Sequence, residues 1–272
     1  MSSPANREAA PPAWDDALLR DPHAAPDKAA RVEAMFDAIA PTYERVNAVA
    51  SLGQDAHWRT VAIAAAAVRP GDVVLDVCCG TGDMLRLFAG LPEQPSRVIG
   101  LDFSAGMLTA GRYDGQSAPG KPTAGGRSDA TAAPIQLLRG DAQRLPLRDA
   151  SVDVVSCAFG VRNFQQLDRG LAEMHRVLRP GGRVVILEFA PPASALVRFG
   201  YRLYTERILP LLGRLISRDR VGAYKYLPHS IRTFETTAGM TARLRGVGFG
   251  DVTVKTMNLG TVAVYRGVKG DK

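Results

Sequence analysis

Two glycines separated by a single residue, Gly80 and Gly82, close an apolar run that reads Val73-Val-Leu-Asp-Val-Cys-Cys-Gly-Thr-Gly-Asp83. A buried strand that turns through glycines into a helix brings backbone N–H groups close to a ligand, at the carboxyl end of the strand where doubly wound sheets bind theirs. Phosphate suits this turn poorly. The third position of a dinucleotide fingerprint is Leu85 rather than glycine, and Asp83 in the first turn of the helix would repel a pyrophosphate. A cationic ligand without phosphate fits better, and S-adenosylmethionine, with its sulfonium and compact aminoacyl group, is one. Two more acids fall where strands should end. Asp102 occupies the position from which a carboxylate accepts both ribose hydroxyls, and Asp141, after Gly140, is placed to accept the adenine amine. Asp76, within the strand itself, has two readings: direct ligand contact, or a hydrogen bond that steadies the loop.

These residues need a frame that lines up strand ends. Short β-branched runs at Val73–Val77, Arg97–Leu101, Ile135–Leu138, Val152–Cys157, Arg183–Phe189, Val252–Met257 and Thr261–Val268 predict seven strands. Helical patterns at Met84–Ala89, Ala105–Gly111, Leu167–Leu178 and Thr236–Arg245 fall between them, the signature of βαβ units around a parallel sheet. Only Asn258, Leu259 and Gly260 join the last two strands, too few for a crossover, so the last strand should run antiparallel. The predicted fold is therefore α/β, a doubly wound, mostly parallel seven-stranded sheet. Val32–Ile39 reads as a short amphipathic helix stopped by Pro41, and residues 1–30, rich in Ala and Pro, as a mobile arm before a domain spanning 31–272. Residues 113–134 hold Gly, Pro, Ala, Ser or Thr at 16 of 22 positions and read as a disordered insertion.

Composition excludes several classes. The 272 residues contain no apolar run long enough to span a bilayer and no signal-peptide pattern at the N-terminus, so a cytoplasmic address is the expectation. Cys78 and Cys79 are adjacent in a set of 3 cysteines, a spacing that suits neither a disulfide framework nor a zinc site; they read as small packing residues, and no metal is expected. The net charge of +7 is concentrated. Residues 193–232 carry eight Arg and Lys against Glu206 and Asp219, in a segment where leucines and arginines alternate at helical spacing. That segment reads as a basic amphipathic lid suited to an anionic membrane surface. Nucleic acid is not the expected partner: an amino-methylating enzyme would need Asn or Asp before Pro-Pro and an aromatic after the fourth strand, and Phe159-Gly-Val-Arg-Asn163 stands there.

From about Phe36 to Val268 the chain resembles the C-methyltransferases of quinone biosynthesis, the demethylmenaquinone and ubiquinone methyltransferase family. The motifs are Tyr43-Glu-Arg-Val-Asn47, Ser51-Leu-Gly53, Trp58-Arg59, Leu75-Asp-Val-Cys-Cys-Gly-Thr-Gly-Asp83, Asp102-Phe-Ser-Ala-Gly-Met-Leu108, Gly140-Asp-Ala142 and Phe159-Gly-Val-Arg-Asn163. Glu173-Met-His-Arg-Val-Leu-Arg-Pro-Gly-Gly182, Glu188-Phe189 and Ala223-Tyr-Lys-Tyr-Leu-Pro-His-Ser230 complete the set. The resemblance implies a Rossmann-like class I methyltransferase that binds S-adenosylmethionine through Thr81, Asp102, Asp141 and Ala142, with Ala158 in place of a serine that lines the cofactor pocket. It also implies a polyprenylated quinol as acceptor, most simply demethylmenaquinol, with the benzoquinol precursor of ubiquinone, or a different methyl acceptor, as the alternatives. Glu44, Asp55 and Glu235 depart from the family's usual Asp, His and Pro.

Methylation of a ring carbon beside a hydroxyl goes faster from the phenolate than from the phenol, so the site needs a base or a cationic donor aimed at that oxygen. Arg162 and Asn163, just past the fourth strand, are the candidates for this role. The competing role for Arg162 is an ion pair with a helix carboxylate. Tyr43, Asn47 and His229 are candidates for substrate contacts, and His57 reads as a packing residue beside Trp58.

Overall fold

A computed structural model of the chain describes residues 14–111, 132–192, 194–203 and 222–271. Seven strands form one sheet: β1 (Val73–Val77), β2 (Arg97–Asp102), β3 (Ile135–Arg139), β4 (Val152–Ala158), β5 (Leu178–Phe189), β6 (Phe249–Met257) and β7 (Val262–Lys269). The spatial order is β3-β2-β1-β4-β5-β7-β6. The first five strands are parallel, and β7 enters between β5 and β6 antiparallel to both. The order reverses at β1, and the switch point lies between the carboxyl ends of β1 and β4, where such sheets bind ligands. Every residue of β1 is buried because helices cover both faces, which is why that strand reads as a continuous apolar run.

The helices are α1 (Lys28–Ile39), α2 (Tyr43–Ala50), α3 (Asp55–Ala66), α4 (Asp83–Ala89), α5 (Ala105–Ala110), α6 (Leu167–Val177), α7 (Ala195–Leu203), α8 (Ala223–Arg232) and α9 (Thr237–Gly246). Alternate strand residues divide the core. Leu75, Val77, Val155 and Ile186 pack with Leu171 and Met174 of α6 and Met240 and Leu244 of α9, while Val74, Val98, Val154 and Val185 pack with Trp58 and Ala62 of α3 and Leu85 and Phe88 of α4. A third cluster covers the carboxyl edge, where Val32, Met35 and Ile39 of α1 meet Met107 of α5 and Ala223 and Tyr226 of α8.

Composition predicts a mobile arm for residues 1–30, but the described part, 14–30, is packed. Trp14 and Leu19 are buried, and the Trp14 ring lies 4.5 Å from that of Tyr226. Two short 3-10 turns, Leu18–Arg20 and Pro22–Ala24, follow, and α1 begins four residues earlier than its apolar pattern suggests. Two well-spaced aromatic and aliphatic anchors hold a segment that is otherwise Ala, Asp and Pro, and an average over the segment hides them. The Gly/Pro-rich insertion lies outside the described residues except for 132–134, where Ala133 is buried and its N–H donates to the Ala89 carbonyl. Of the basic segment 193–232, the described parts are α7 and α8. His57 is exposed, because α3 turns Trp58, Arg59 and Ala62 inward.

Candidate active site

The turn after β1 is made by backbone conformations that favour glycine. Cys78, Gly80 and Gly82 all have positive φ (58°, 55° and 90°), which folds the chain back so that Gly82 caps α4. At β4 the chain leaves the sheet the same way, with Phe159 at φ 58°. A left-handed phenylalanine is costly, and such strain persists where the surroundings fix it, often at a ligand site. Between the two turns runs a cleft lined by Phe36, Tyr43, Gly80, Asp102, Ala158 and Asn163, together with Cys78, Phe103, Met107, Phe159 and Gly160; it encloses about 360 Å³ including its solvent-side mouth.

Asp102 closes one end of the cleft. It is 5 % exposed, and its two carboxylate oxygens each take one backbone N–H, from Gly80 (2.8 Å) and Ser104 (2.9 Å). Burial pushes its pKa up, against the pull of those N–H donors. One N–H on each oxygen leaves acceptor capacity for a pair of adjacent hydroxyls, so the site fits the ribose of S-adenosylmethionine. Gly80 adds room: a Cβ there would stand 4.0 Å from the Tyr43 ring. Thr81 is buried behind the turn, and Ala142 is buried beside the β3 end. Asp141 is exposed, and its carboxylate accepts from Gln143 N (2.8 Å) and Nε2 (3.2 Å), outside the residues that line the cleft. Asp76 also lies off the cleft. Its carboxyl is bonded to the Ser156 hydroxyl on β4, the neighbouring strand rather than the loop.

On the other side, Arg162 and Asn163 form a single 3-10 turn after β4. Arg162 is fully enclosed and pairs with Glu188 at the end of β5 (Nη1 to Oε1, 2.6 Å), while Nη1 also donates to the Phe159 carbonyl (2.9 Å). The pair is thus with a strand carboxylate, not a helix one. Burial works against the charged guanidinium, but Glu188, Tyr226 and Tyr43 together hold the Arg162 pKa above its ordinary value. Arg162 Nε is buried with no partner among the described residues, the guanidinium lies over the Phe189 ring at 5.4 Å, and Arg162 itself stands behind the residues that line the cleft. Asn163 faces the cleft, its Oδ1 accepting from the Tyr226 hydroxyl (2.9 Å). Tyr43 lines the cleft, and burial pushes its pKa up against the opposing influence of Asn47, one turn on in α2. His229 is not brought into the cleft; its Nδ1 accepts from Arg232 (3.1 Å) at the surface.

Three residues outside the sequence expectation complete the arrangement. Glu188 ends an apolar strand as Asp102 does, and that lone acid was a readable signal. Tyr226 bridges α8 to Asn163. Lys28, only 2 % exposed, donates from Nζ to the carbonyls of Arg162 (2.8 Å) and Phe164 (2.6 Å) and to His23 Nδ1 (3.1 Å). His23 Nε2 then bonds the Ser230 carbonyl (2.8 Å), which assigns the proton to Nε2. His23 and Lys28, the first residue of α1, therefore tie the Arg162 turn to α8.

Comparison with known proteins gives one family. Residues 25–269 match the profile of the ubiE/COQ5 methyltransferase family. A demethylmenaquinone methyltransferase of Deinococcus radiodurans is 43% identical over 224 residues, covering 82% of this chain and 86% of its own. The ubiquinone/menaquinone biosynthesis C-methyltransferase UbiE of Geobacter sulfurreducens is 39% identical over 246 residues, covering 90% and 91%. Among solved structures, a SAM-dependent methyltransferase of Thermotoga maritima superposes with a TM-score of 0.55 at 18% identity, covering 87% of this chain and 99% of that one, a likeness of fold.

Proposed function

The chain belongs to the ubiE/COQ5 methyltransferase family and is an S-adenosylmethionine-dependent C-methyltransferase of quinone biosynthesis, and from this we propose that its acceptor is demethylmenaquinol, held with its ring against Arg162 and Asn163. The observation that carries the reading is a buried cationic donor beside the cofactor cleft: Arg162, fixed by Glu188, with its Nε unpartnered. Bound S-adenosylmethionine supplies an electrophilic methyl group. The chain's own residues hold the acceptor oxygen. Asn163, with Oδ1 occupied by Tyr226, offers its Nδ2 to that oxygen, and Arg162 Nε donates to the same oxygen or to a water on it. Together they favour the ionised ring hydroxyl, whose electrons make the adjacent carbon the nucleophile; the new carbon–carbon bond would form as the S–CH3 bond breaks to leave S-adenosylhomocysteine, with the hydroxyl proton and the displaced ring proton passing to water. Phe36, Tyr43 and Phe159 line the space around the reacting carbon and keep it from water.

No helix among the described residues is long and apolar enough to cross a membrane. A polyprenylated quinol stays in the bilayer, so the reading includes peripheral contact between the carboxyl edge of the sheet and an anionic membrane surface, supported by α7 and the basic segment that contains it. The test is methyl transfer from labelled S-adenosylmethionine to demethylmenaquinol and to the demethylated benzoquinol precursor, side by side, with Arg162→Ala as control. Label in menaquinol alone, lost in the variant while cofactor binding persists, is the expected result. Label in neither quinol, with cofactor binding intact, would overturn the acceptor.

A further inference from the structure

Two leucines stand in water with their backbone in the left-handed region. Leu52, in the loop between α2 and α3, has φ 53° and is 74% exposed; Leu259, at the turn between β6 and β7, has φ 55° and is 80% exposed. A left-handed conformation is costly for leucine, and a side chain left in the open returns nothing to the fold. Each is followed by a glycine with positive φ, Gly53 and Gly260, so the leucines are the exceptions in turns that glycine already shapes. The two turns are built as one unit. Asn258 Nδ2 donates to Gln54 Oε1 (2.6 Å), and the Trp58 indole N–H donates to Asn258 Oδ1 (3.0 Å). Backbone strain held in place by its surroundings concentrates at ligand contacts.

This unit is continuous with the cleft. The Trp58 ring lies 6.1 Å from that of Phe159, which lines the cleft, and 6.2 Å from that of Phe189, and the two phenylalanine rings are 4.6 Å apart. Phe189, at the end of β5, pairs with Val262 of β7, and Val262 pairs in turn with Met257 at the end of β6. Residues in register on neighbouring strands share a face. Phe159, Phe189 and Met257, all half-buried, therefore carry an apolar surface from the cleft, across the carboxyl ends of the strands, to the turn that holds Leu259. In demethylmenaquinol the prenyl chain sits on the ring carbon next to the one that receives the methyl group, so the chain starts inside the cleft and has to leave it. The β2 side is where Asp102 fits the cofactor ribose, and α1 and α8 close their side with buried Val32, Met35, Ala223 and Tyr226. We propose that the first isoprene units of the acceptor's polyprenyl chain run across the Phe159 and Phe189 rings and leave past Leu52 and Leu259. Aromatic faces and a pliable thioether suit an unsaturated hydrocarbon. The inference rests on the reading of the cleft as a quinol methylation site and adds the path of the tail.

The test is methyl transfer from S-adenosylmethionine, without lipid, to three naphthoquinols that carry no chain, one isoprene unit and two. The wild type should gain at least about tenfold in kcat/KM from the bare ring to the two-unit chain, the scale of burying a few methylene groups. The double variant Leu52→Gly, Leu259→Gly should lose most of that gain while its kcat/KM on the bare ring stays within about threefold, and it should melt at or above the wild-type temperature, because glycine takes the left-handed backbone without strain. Phe189→Ala should lower the ratio of prenylated to bare acceptor in the same direction. Equal use of all three acceptors by the wild type overturns the proposal, as does a leucine variant that keeps the full gain. Equal losses on all three in the leucine variant, with a lowered melting temperature, would mark the leucines as supports of the fold and overturn it too. So would normal rates on these acceptors with a loss confined to vesicle-borne demethylmenaquinol, which would make the leucines lipid contacts. Transfer to none of the three by a wild type that binds the cofactor would remove the quinol reading and this inference with it, a result distinct from transfer that ignores chain length.

Discussion

Asp76 carries a carboxyl in the middle of a strand whose every residue is buried, and burial pushes its pKa up to about 7 from 3.8. In the unfolded chain the ordinary value holds. Below about pH 4 both states keep the proton, and the group's contribution to stability is fully present. Between about pH 4 and 7 the unfolded chain ionises while the folded one does not, so stability falls as pH rises, by ~1.4 kcal/mol for each pH unit of that window. Asp76→Asn removes the effect. Urea unfolding at about pH 4.5 and 6.5 should show the wild type losing more than ~1 kcal/mol relative to the variant, and a constant difference would mean that Asp76 is ionised when folded. Glu188 is the opposite case, since its charge has a partner. Burial pushes its pKa up against the pull of Arg162, and Glu188→Gln leaves that guanidinium enclosed without its counter-charge. Removing one partner of a buried pair costs roughly 3–5 kcal/mol. Methyl transfer should fall by about 10²-fold or more, as for loss of an oriented transition-state donor, with cofactor affinity within threefold. Unchanged turnover in Glu188→Gln would show that Arg162 needs no fixing.

At the level of elements, the chain from Trp14 to the first turn of α1 behaves as a strap rather than an arm. Its attachment is Lys28, whose ammonium group meets two backbone carbonyls of the Arg162 turn and one imidazole. Burial lowers its pKa to about 8, a cost that the structure accepts in order to fill those acceptors. Lys28→Met removes the charge but leaves the Arg162 and Phe164 carbonyls without a donor. At ~1–3 kcal/mol for each stranded group, less the relieved desolvation, a net loss of about 2 kcal/mol in urea unfolding is expected; a variant as stable as the wild type would show that the strap does not hold the turn. The sequence made the sheet plain but not this strap. The inner parallel strands are apolar runs whose boundaries follow from burial on both faces, unlike the half-exposed edge strand β3, and β1 is predicted to the residue. Strands β5 and β6 start earlier than predicted, because Leu178 already pairs with Val152 ahead of the Gly181–Gly182 bend and Phe249 pairs with Lys269. Of the strand-end acids and glycines that mark the cofactor half locally, Gly80 and Asp102 line the cleft, whereas Asp76 and Asp141 do not. The surroundings of Arg162 and Asn163 were not legible, since Lys28 and Glu188 reach Arg162, and Tyr226 reaches Asn163, from distant parts of the chain.

For the whole molecule, the parallel strands share one direction, so the cleft, the Arg162 turn and the start of α7 all fall at the same end. That end is also where large apolar side chains remain in the open. Leu196, Phe199 and Leu203 of α7 are 81%, 71% and 52% exposed, at spacings of three and four residues that give one helical face, with exposed Arg198 among them. Leu52 and Leu259 are 74% and 80% exposed on two loops joined by the Asn258–Gln54 hydrogen bond (2.6 Å). A soluble enzyme gains nothing from a leucine and a phenylalanine in water, whereas a lipid surface would bury them for ~1.5–3 kcal/mol each. With an acceptor whose tail lies in the bilayer, the apolar stripe would dock the cleft's mouth at the headgroup level and the arginines would meet anionic lipid. Sedimentation with vesicles containing phosphatidylglycerol should therefore show binding that weakens with salt, because the charge contribution is screened. The double variant Leu196→Asp, Phe199→Asp should bind at least ~100-fold more weakly, given the burial lost at two positions. It should keep full methyl transfer to a short-chain, water-soluble quinol and lose it on vesicle-borne substrate. Equal activity on both substrates, or partitioning that ignores salt and substitution alike, would detach the enzyme from the bilayer and require the quinol to be delivered to it.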